Sequence, residues 1–181
     1  MAQHPFITES GKHGGYRQLK SYQVATTIYD ATAVFCERFV DRFSRTRDQM
    51  VQAARSGKQN IVEGSVTSGT SRASEIRLVG VARASLKELL ADYEDYLRQR
   101  GILQWPPDSS EAKEIRSLGY ESKNSYATYA EYIEQGDGGL AANVMVCLVN
   151  QACFLLYRQL EALSARYAEQ GGRREELYRR R

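Results

Sequence analysis

Arg47-Asp48-Gln49-Met50-Val51-Gln52-Ala53-Ala54-Arg55-Ser56-Gly57-Lys58-Gln59-Asn60-Ile61-Val62-Glu63-Gly64 is the stretch on which the fold turns. Met50, Ala54, Gly57 and Ile61 recur at steps of four and three, which places them on one face of a helix. Ala54 and Gly57 are small, so a neighbouring helix can come close. Asn60 and Glu63 are i,i+3 neighbours near the end of the segment. Gly64 follows where the helix is expected to stop. A carboxylate so placed must find donors or stay in water. The segment therefore predicts an amphipathic helix in a bundle, clasped to its neighbour by polar groups.

The flanks extend this reading. Upstream, Ala25, Tyr29, Thr32, Cys36, Phe39 and Phe43 form a stripe widened by Ile28, Ala31 and Phe35, with Ser21 as the expected N-cap. Ser44-Arg45-Thr46 reads as a short turn. Downstream, Ser65 to Thr70 forms a second turn. Thr70 or Ser71 then caps a third helix, with Glu75 in its first turn. Its stripe is Val79, Ala82, Leu86, Leu89, Tyr93 and Tyr96, and Gly101 marks its stop. This third helix spans about thirty residues, or about 45 Å.

Residues 102–139 break the pattern. Trp105-Pro106-Pro107-Asp108 is a rigid turn. Short helices are expected over Ser110 to Leu118 and over Ser125 to Ile133, the latter carrying Tyr126, Tyr129 and Tyr132. Gly136-Asp137-Gly138-Gly139 closes the insert. A last long helix is expected from about Leu140 to Gln170. It is apolar nearly all round in its first half and striped by Val149, Cys153, Leu156, Leu160, Leu163 and Tyr167. Gly171-Gly172 is its expected end. No strand alternation or internal repeat is visible. The expected fold is all-α: an up-down antiparallel four-helix bundle with an insert between helices three and four, oligomeric in state. The expected divisions are a flexible arm over 1–20, the bundle over 21–170 (insert 102–139) and a basic tail over 171–181.

The chain has 181 residues and a net charge of +3, which is mild. Its basic residues are nonetheless clustered. Arg38, Arg42, Arg45, Arg47, Arg55 and Lys58 stand against Asp41 and Asp48 between positions 38 and 58. Five arginines, Arg173, Arg174, Arg179, Arg180 and Arg181, stand against Glu175 and Glu176 at the end. Such clusters suit a polyanion. Cys36, Cys147 and Cys153 lie in apolar stretches without metal-ligand spacing and read as small core hydrophobes in a reducing compartment. Residues 1–20 contain no apolar run of the secretory kind. A cytoplasmic location without membrane association is the expectation. Leu140 to Leu156 is interrupted by Asn143, Asn150 and Gln151, which argues for a buried helix over a membrane span.

Catalytic constellations are not evident. His4 and His13 are the two histidines, both in the N-terminal arm, which removes a placed base and the Glu-x-x-His ligands of a di-iron bundle. No phosphate-cradling glycine loop is present. No catalytic residue, cofactor or metal site is expected. Glu88, Asp92 and Asp95 form an acidic ridge at steps of four and three. The clasp is expected to join Glu63 to a donor on the third helix, with Arg83 and Ser85 the candidates, while Asn60 either bridges the two helices or caps a neighbouring turn. The expected nucleic-acid contacts are Arg45, Arg47, Arg55 and Lys58 on the second helix, Arg72, Arg77, Arg83 and Lys87 on the third, and the five tail arginines. Arg83 and Lys87 are like charges at i,i+4, unfavourable unless they share an anion such as phosphate.

Two segments carry a family resemblance. Arg55-Ser56 followed by Asn60-Ile61-Val62-Glu63-Gly64, and then Ala82-Arg83-Ala84-Ser85-Leu86-Lys87-Glu88-Leu89, resemble hallmarks of the bacterial four-helix-bundle proteins first noticed in intervening sequences of large-subunit ribosomal RNA genes. The accessory variability determinant of diversity-generating retroelements is similar. The resemblance spans roughly Tyr22 to Gly101. It implies a homopentamer with a basic surface, binding of RNA or DNA, a reverse transcriptase as partner, and no enzymatic activity. The insert and the Arg-rich end look like an extra suffix-type region. The expected role is a nucleic-acid-binding accessory protein, and the alternative is a protein–protein scaffold with no nucleic-acid role.

Overall fold

The first helix, α1, covers Lys20–Phe39 and buries Val24, Ala25, Ile28, Ala31, Thr32, Phe35 and Cys36 along one side. The computed structural model describes residues 15–120 and 125–179, with side chains up to 169. Two expectations for this helix are corrected. Ser21 is not its cap but lies inside it, buried, with Oγ donating to Gln159 Oε1 at 2.8 Å. Phe43 does not extend the stripe. The helix ends at Phe39, and Phe43 lies beyond it, 81% exposed. The end of the expected arm is also folded. Gly15–Gln18 forms a 3-10 turn, Leu19 is buried, and the Tyr16 and Tyr22 rings meet edge-on at 4.9 Å.

The second helix, α2, runs Arg45–Thr67, with the Ser44 side chain accepting from the Thr46 amide. It buries Met50, Ala54, Gly57 and Ile61 as expected. Gly64 does not stop it. Gly64 is buried three residues before the end, where a Cβ would touch the Glu75 carbonyl, Leu78 and Val79 at 3.5 Å. Local propensity has given way to close helix contact. Gly57 is tighter: a Cβ there would stand 2.6 Å from Leu86 Cδ2.

The third helix, α3, spans Arg72–Gln99, and its Ser71 cap accepts from the Ser74 amide. It ends as expected at Gly101, whose φ is +65°. The Gly101 and Ile102 amides donate back to the carbonyls of Arg98 and Leu97 at 3.1 and 3.0 Å, the Schellman arrangement. Its partners Ser56–Ser85, Gly57–Leu86 and Gly64–Val79 show that α2 and α3 run antiparallel.

The insert holds the two expected short helices, α4 (Ser110–Leu118) and α5 (Tyr126–Glu134). Buried Asn143 pins its start: Oδ1 accepts from the Trp105 amide at 2.8 Å and Nδ2 donates to the Leu103 carbonyl at 3.1 Å. Arg38 Nη1 donates to the Ile133 and Gly136 carbonyls, holding the end of α5 to α1.

The last helix, α6, runs Gly138–Arg179, past the expected end at Gly171-Gly172. Its stretch Gly138–Glu169 is long and apolar enough to cross a membrane, but 67% of its most apolar window is buried within the protein. Helix α2 packs along α3, α3 along α6, and α1 against both α2 and α6, while α4 and α5 lie on α6 and α5 also on α1. Among the described residues the chain is six α-helices without a strand. The centre is aromatic. Tyr93 Oη donates to Thr32 Oγ1 at 3.0 Å, both buried, and the Phe35 ring stands 4.9 Å from those of Tyr93 and Tyr96.

Candidate nucleic-acid interface

The clasp between α2 and α3 exists, but with different members. Ser56 Oγ and Ser85 Oγ share a hydrogen bond at 2.9 Å. Asn60 Nδ2 donates to the Ser56 carbonyl at 2.9 Å and to Ser56 Oγ at 3.2 Å. Glu63 is exposed, and its carboxylate has no hydrogen-bond partner among the described residues. Register is the reason. Ser56 lies opposite Ser85 and Gly64 opposite Glu75 to Val79, so Glu63 faces the level of Leu78. That is about 10 Å along the axis from Ser85. Arg83 points to the other side of α3, towards α6. The expected Glu63–Ser85 and Glu63–Arg83 contacts are therefore not made.

The seam where the clasp lies is acidic. Gln49, Gln52, Ala53, Ser56, Ser85, Glu88 and Asp92 line a groove of about 500 Å³. The Asp92 carboxyl is pushed up, first by burial and then by Asp95 and Glu88. Asp95 is engaged, accepting from Arg98 at 2.8 and 3.2 Å. No group of metal-ligating side chains occurs among the described residues. The groove's two carboxyls, Glu88 and Asp92, make it an unfavourable place for phosphate.

The basic residues separate into tied and open groups. Lys58 Nζ sits 4.4 Å above the Tyr29 ring. Arg72 pairs with buried Glu75 at 3.2 Å. Arg38 caps α5, and Arg42 lies 4.5 Å over Phe43. The run of basic residues between 38 and 58 is thus dispersed by the fold. Arg45, Arg55, Arg77 and Lys87 are exposed and make no hydrogen bond or ion pair among the described residues, whereas Arg47 is half-buried. Arg83 is half-buried against α6. Its Nε is shut off from solvent without a hydrogen-bond partner, and its guanidinium lies 5.7 Å from the Tyr157 ring. Arg173, Arg174 and Arg179 fall on the last turns of α6, with side chains outside the described set; Arg180 and Arg181, like His4 and His13, lie outside the described residues.

The cysteines behave as apolar groups. Cys36 is buried with Sγ 3.9 Å from Met50 Sδ, and burial pushes its thiol up to about 12. Burial also raises the Cys147 and Cys153 thiols. None is a poised nucleophile.

Two residues of this surface escaped the sequence reading. Phe154 is 60% exposed and Tyr157 45% exposed on the outer side of α6. Their only signal is their phase: they fall off the Val149-Cys153-Leu156-Leu160 stripe in a helix whose first half is apolar all round. Compared with known proteins, the chain matches no family model, no curated protein and no solved structure.

Proposed function

We propose that this chain is a non-enzymatic nucleic-acid-binding accessory protein, a four-helix bundle of α1, α2, α3 and α6 carrying α4 and α5 as an insert. The observation that carries this is a set of cations without anions. Arg83 and Lys87, one turn apart on α3, lack a carboxylate partner among the described residues, and so do Arg45, Arg55 and Arg77. Like charges at that spacing become favourable when a phosphate lies between them. The paired segments around Asn60 and Ser85 support kinship with the family that the sequence resembles. In that reading the bundles assemble into a pentamer and assist a reverse transcriptase or another nucleic-acid-processing protein.

The test is a binding isotherm with labelled RNA and DNA over a salt series. Submicromolar binding at low salt, falling steeply as salt rises, is expected. Absence of any shift at low salt sinks the proposal. Light scattering gives the subunit count. The acidic groove beside Ser56 favours a second reading, a scaffold that docks a basic segment of a protein. Partners recovered after nuclease treatment, from a chain that binds no nucleic acid, would select it.

A further inference from the structure

The outer seam between α3 and α6 combines two chemistries that the acidic α2–α3 groove lacks. On α3, Arg83 and Lys87 stand about 6 Å apart along the axis. On α6, Phe154 and Tyr157 stand at i,i+3, both well exposed. The two helices are in register here. Arg83 lies over Tyr157. Tyr96 lies against Gly138 and Arg83 against Tyr157, so the two helices run antiparallel and Lys87, one turn past Arg83, falls level with the turn of α6 that holds Phe154.

The Tyr157 ring is held in place. Its Oη donates to Glu161 Oε1 at 2.7 Å, and its ring carries the Arg83 guanidinium. The Glu161 carboxylate is also paired with Arg158 at 3.1 Å. A ring fixed before binding loses little freedom when it stacks.

We infer that this seam binds an unpaired nucleic-acid strand, with bases stacked on Phe154 and Tyr157 and phosphate held by Arg83 and Lys87. This rests on the proposed nucleic-acid role and narrows its ligand. A duplex offers phosphates but keeps its base faces inside the stack, so two exposed rings add nothing to its binding. A single strand presents both phosphate and base face, and stacking on an aromatic ring is tolerant of sequence. Arg83 Nε is closed off without an acceptor and its guanidinium lies beside the Tyr157 ring, which leaves its outer nitrogens for a phosphate next to the rings.

The full chain is titrated by fluorescence anisotropy against labelled oligothymidylate, oligouridylate and a mixed-sequence DNA duplex of equal length. The two strands are expected to bind about ten-fold or more tightly than the duplex, and their ratio tells DNA from RNA. Phe154→Ala and Tyr157→Ala should each weaken strand binding about five-fold or more and leave duplex binding unchanged. Phe154→Tyr should keep strand binding, and Lys87→Gln should weaken both. Both rings are largely outside the core, and unchanged melting temperatures verify the fold of each variant. The inference is overturned if the protein binds nucleic acid but prefers duplex, or if Phe154→Ala leaves strand binding intact or weakens both probes alike. If light scattering then shows that Phe154→Ala dissociates an oligomer, the ring belongs to a contact between copies. Absence of binding to all three probes removes the proposed function itself, and this inference with it.

Discussion

Ser56 and Ser85 face each other across the α2–α3 seam with their hydroxyls 2.9 Å apart, and Asn60 donates to Ser56 from one turn along α2. Each hydroxyl serves the other's hydrogen-bonding capacity in a half-buried place. A double-mutant cycle on Ser56→Ala and Ser85→Ala should give a coupling of about 0.5–1.5 kcal/mol by urea unfolding. Glu63→Ala should stay within about 0.5 kcal/mol of the parent. A large loss on Glu63→Ala, with additive serines, would return the clasp to Glu63.

Gly57 and Gly64 make a second pair of opposites. At Gly57 a methyl would meet Leu86, itself wholly buried, at 2.6 Å. Gly57→Ala should therefore destabilise by about 1–3 kcal/mol. At Gly64 the same methyl finds ordinary contacts at 3.5 Å in a helical backbone. Gly64→Ala should stabilise by about 0.5–1 kcal/mol, because the unfolded chain loses freedom. Melting temperatures of the two variants moving in the same direction would contradict this account.

These residues show which parts of the fold could be read in advance. Helix α3 was legible at both ends because Ser71 caps it with its own side chain and Gly101 ends it through its own left-handed backbone. Gly64 misled because glycine marks close contact as well as termination. The packing of α2 on α3 decides the matter at Gly64, and sequence alone does not contain it. Glu63 misled differently. Spacing along one helix identifies neighbours on that helix, while its partner across the seam depends on inter-helix register. Phe154 escaped notice because an apolar residue in an apolar helix carries no mark of whether a neighbour covers it.

Glu75 gives the fold a pH dependence. It is 7% exposed, and burial raises its carboxyl, only partly countered by Arg72 and then by Arg166. A carboxyl whose folded value lies above its unfolded value binds protons more tightly when folded. Its contribution is then most favourable at acid pH and declines as pH rises from the unfolded value through the folded one. Glu75→Gln should remove that decline, so its stability relative to the parent should rise between acid and neutral pH. A difference that stays flat over that interval would place the dominant titration elsewhere.

The last prediction separates tied cations from open ones on the proposed interface. Arg72 is paired with the Glu75 carboxylate and Lys58 is turned onto the Tyr29 ring of α1, so neither is presented on the exposed face that carries Arg77 and Lys87. Arg77 and Lys87 are exposed and unpaired among the described residues. Each phosphate contact releases condensed counterions, so removing one contact lowers the steepness of log affinity against log salt by about 0.7 for a single strand. Arg77→Gln and Lys87→Gln should each produce such a drop, and the double variant about twice as much. Lys58→Gln and Arg72→Gln should leave the slope unchanged while lowering melting temperature through the lost Tyr29 and Glu75 contacts. The comparison of the single variants holds net charge constant, since each removes one positive charge. Equal slopes for all four single variants would mean that overall charge alone attracts the nucleic acid, and that no face of α3 is used in preference to another.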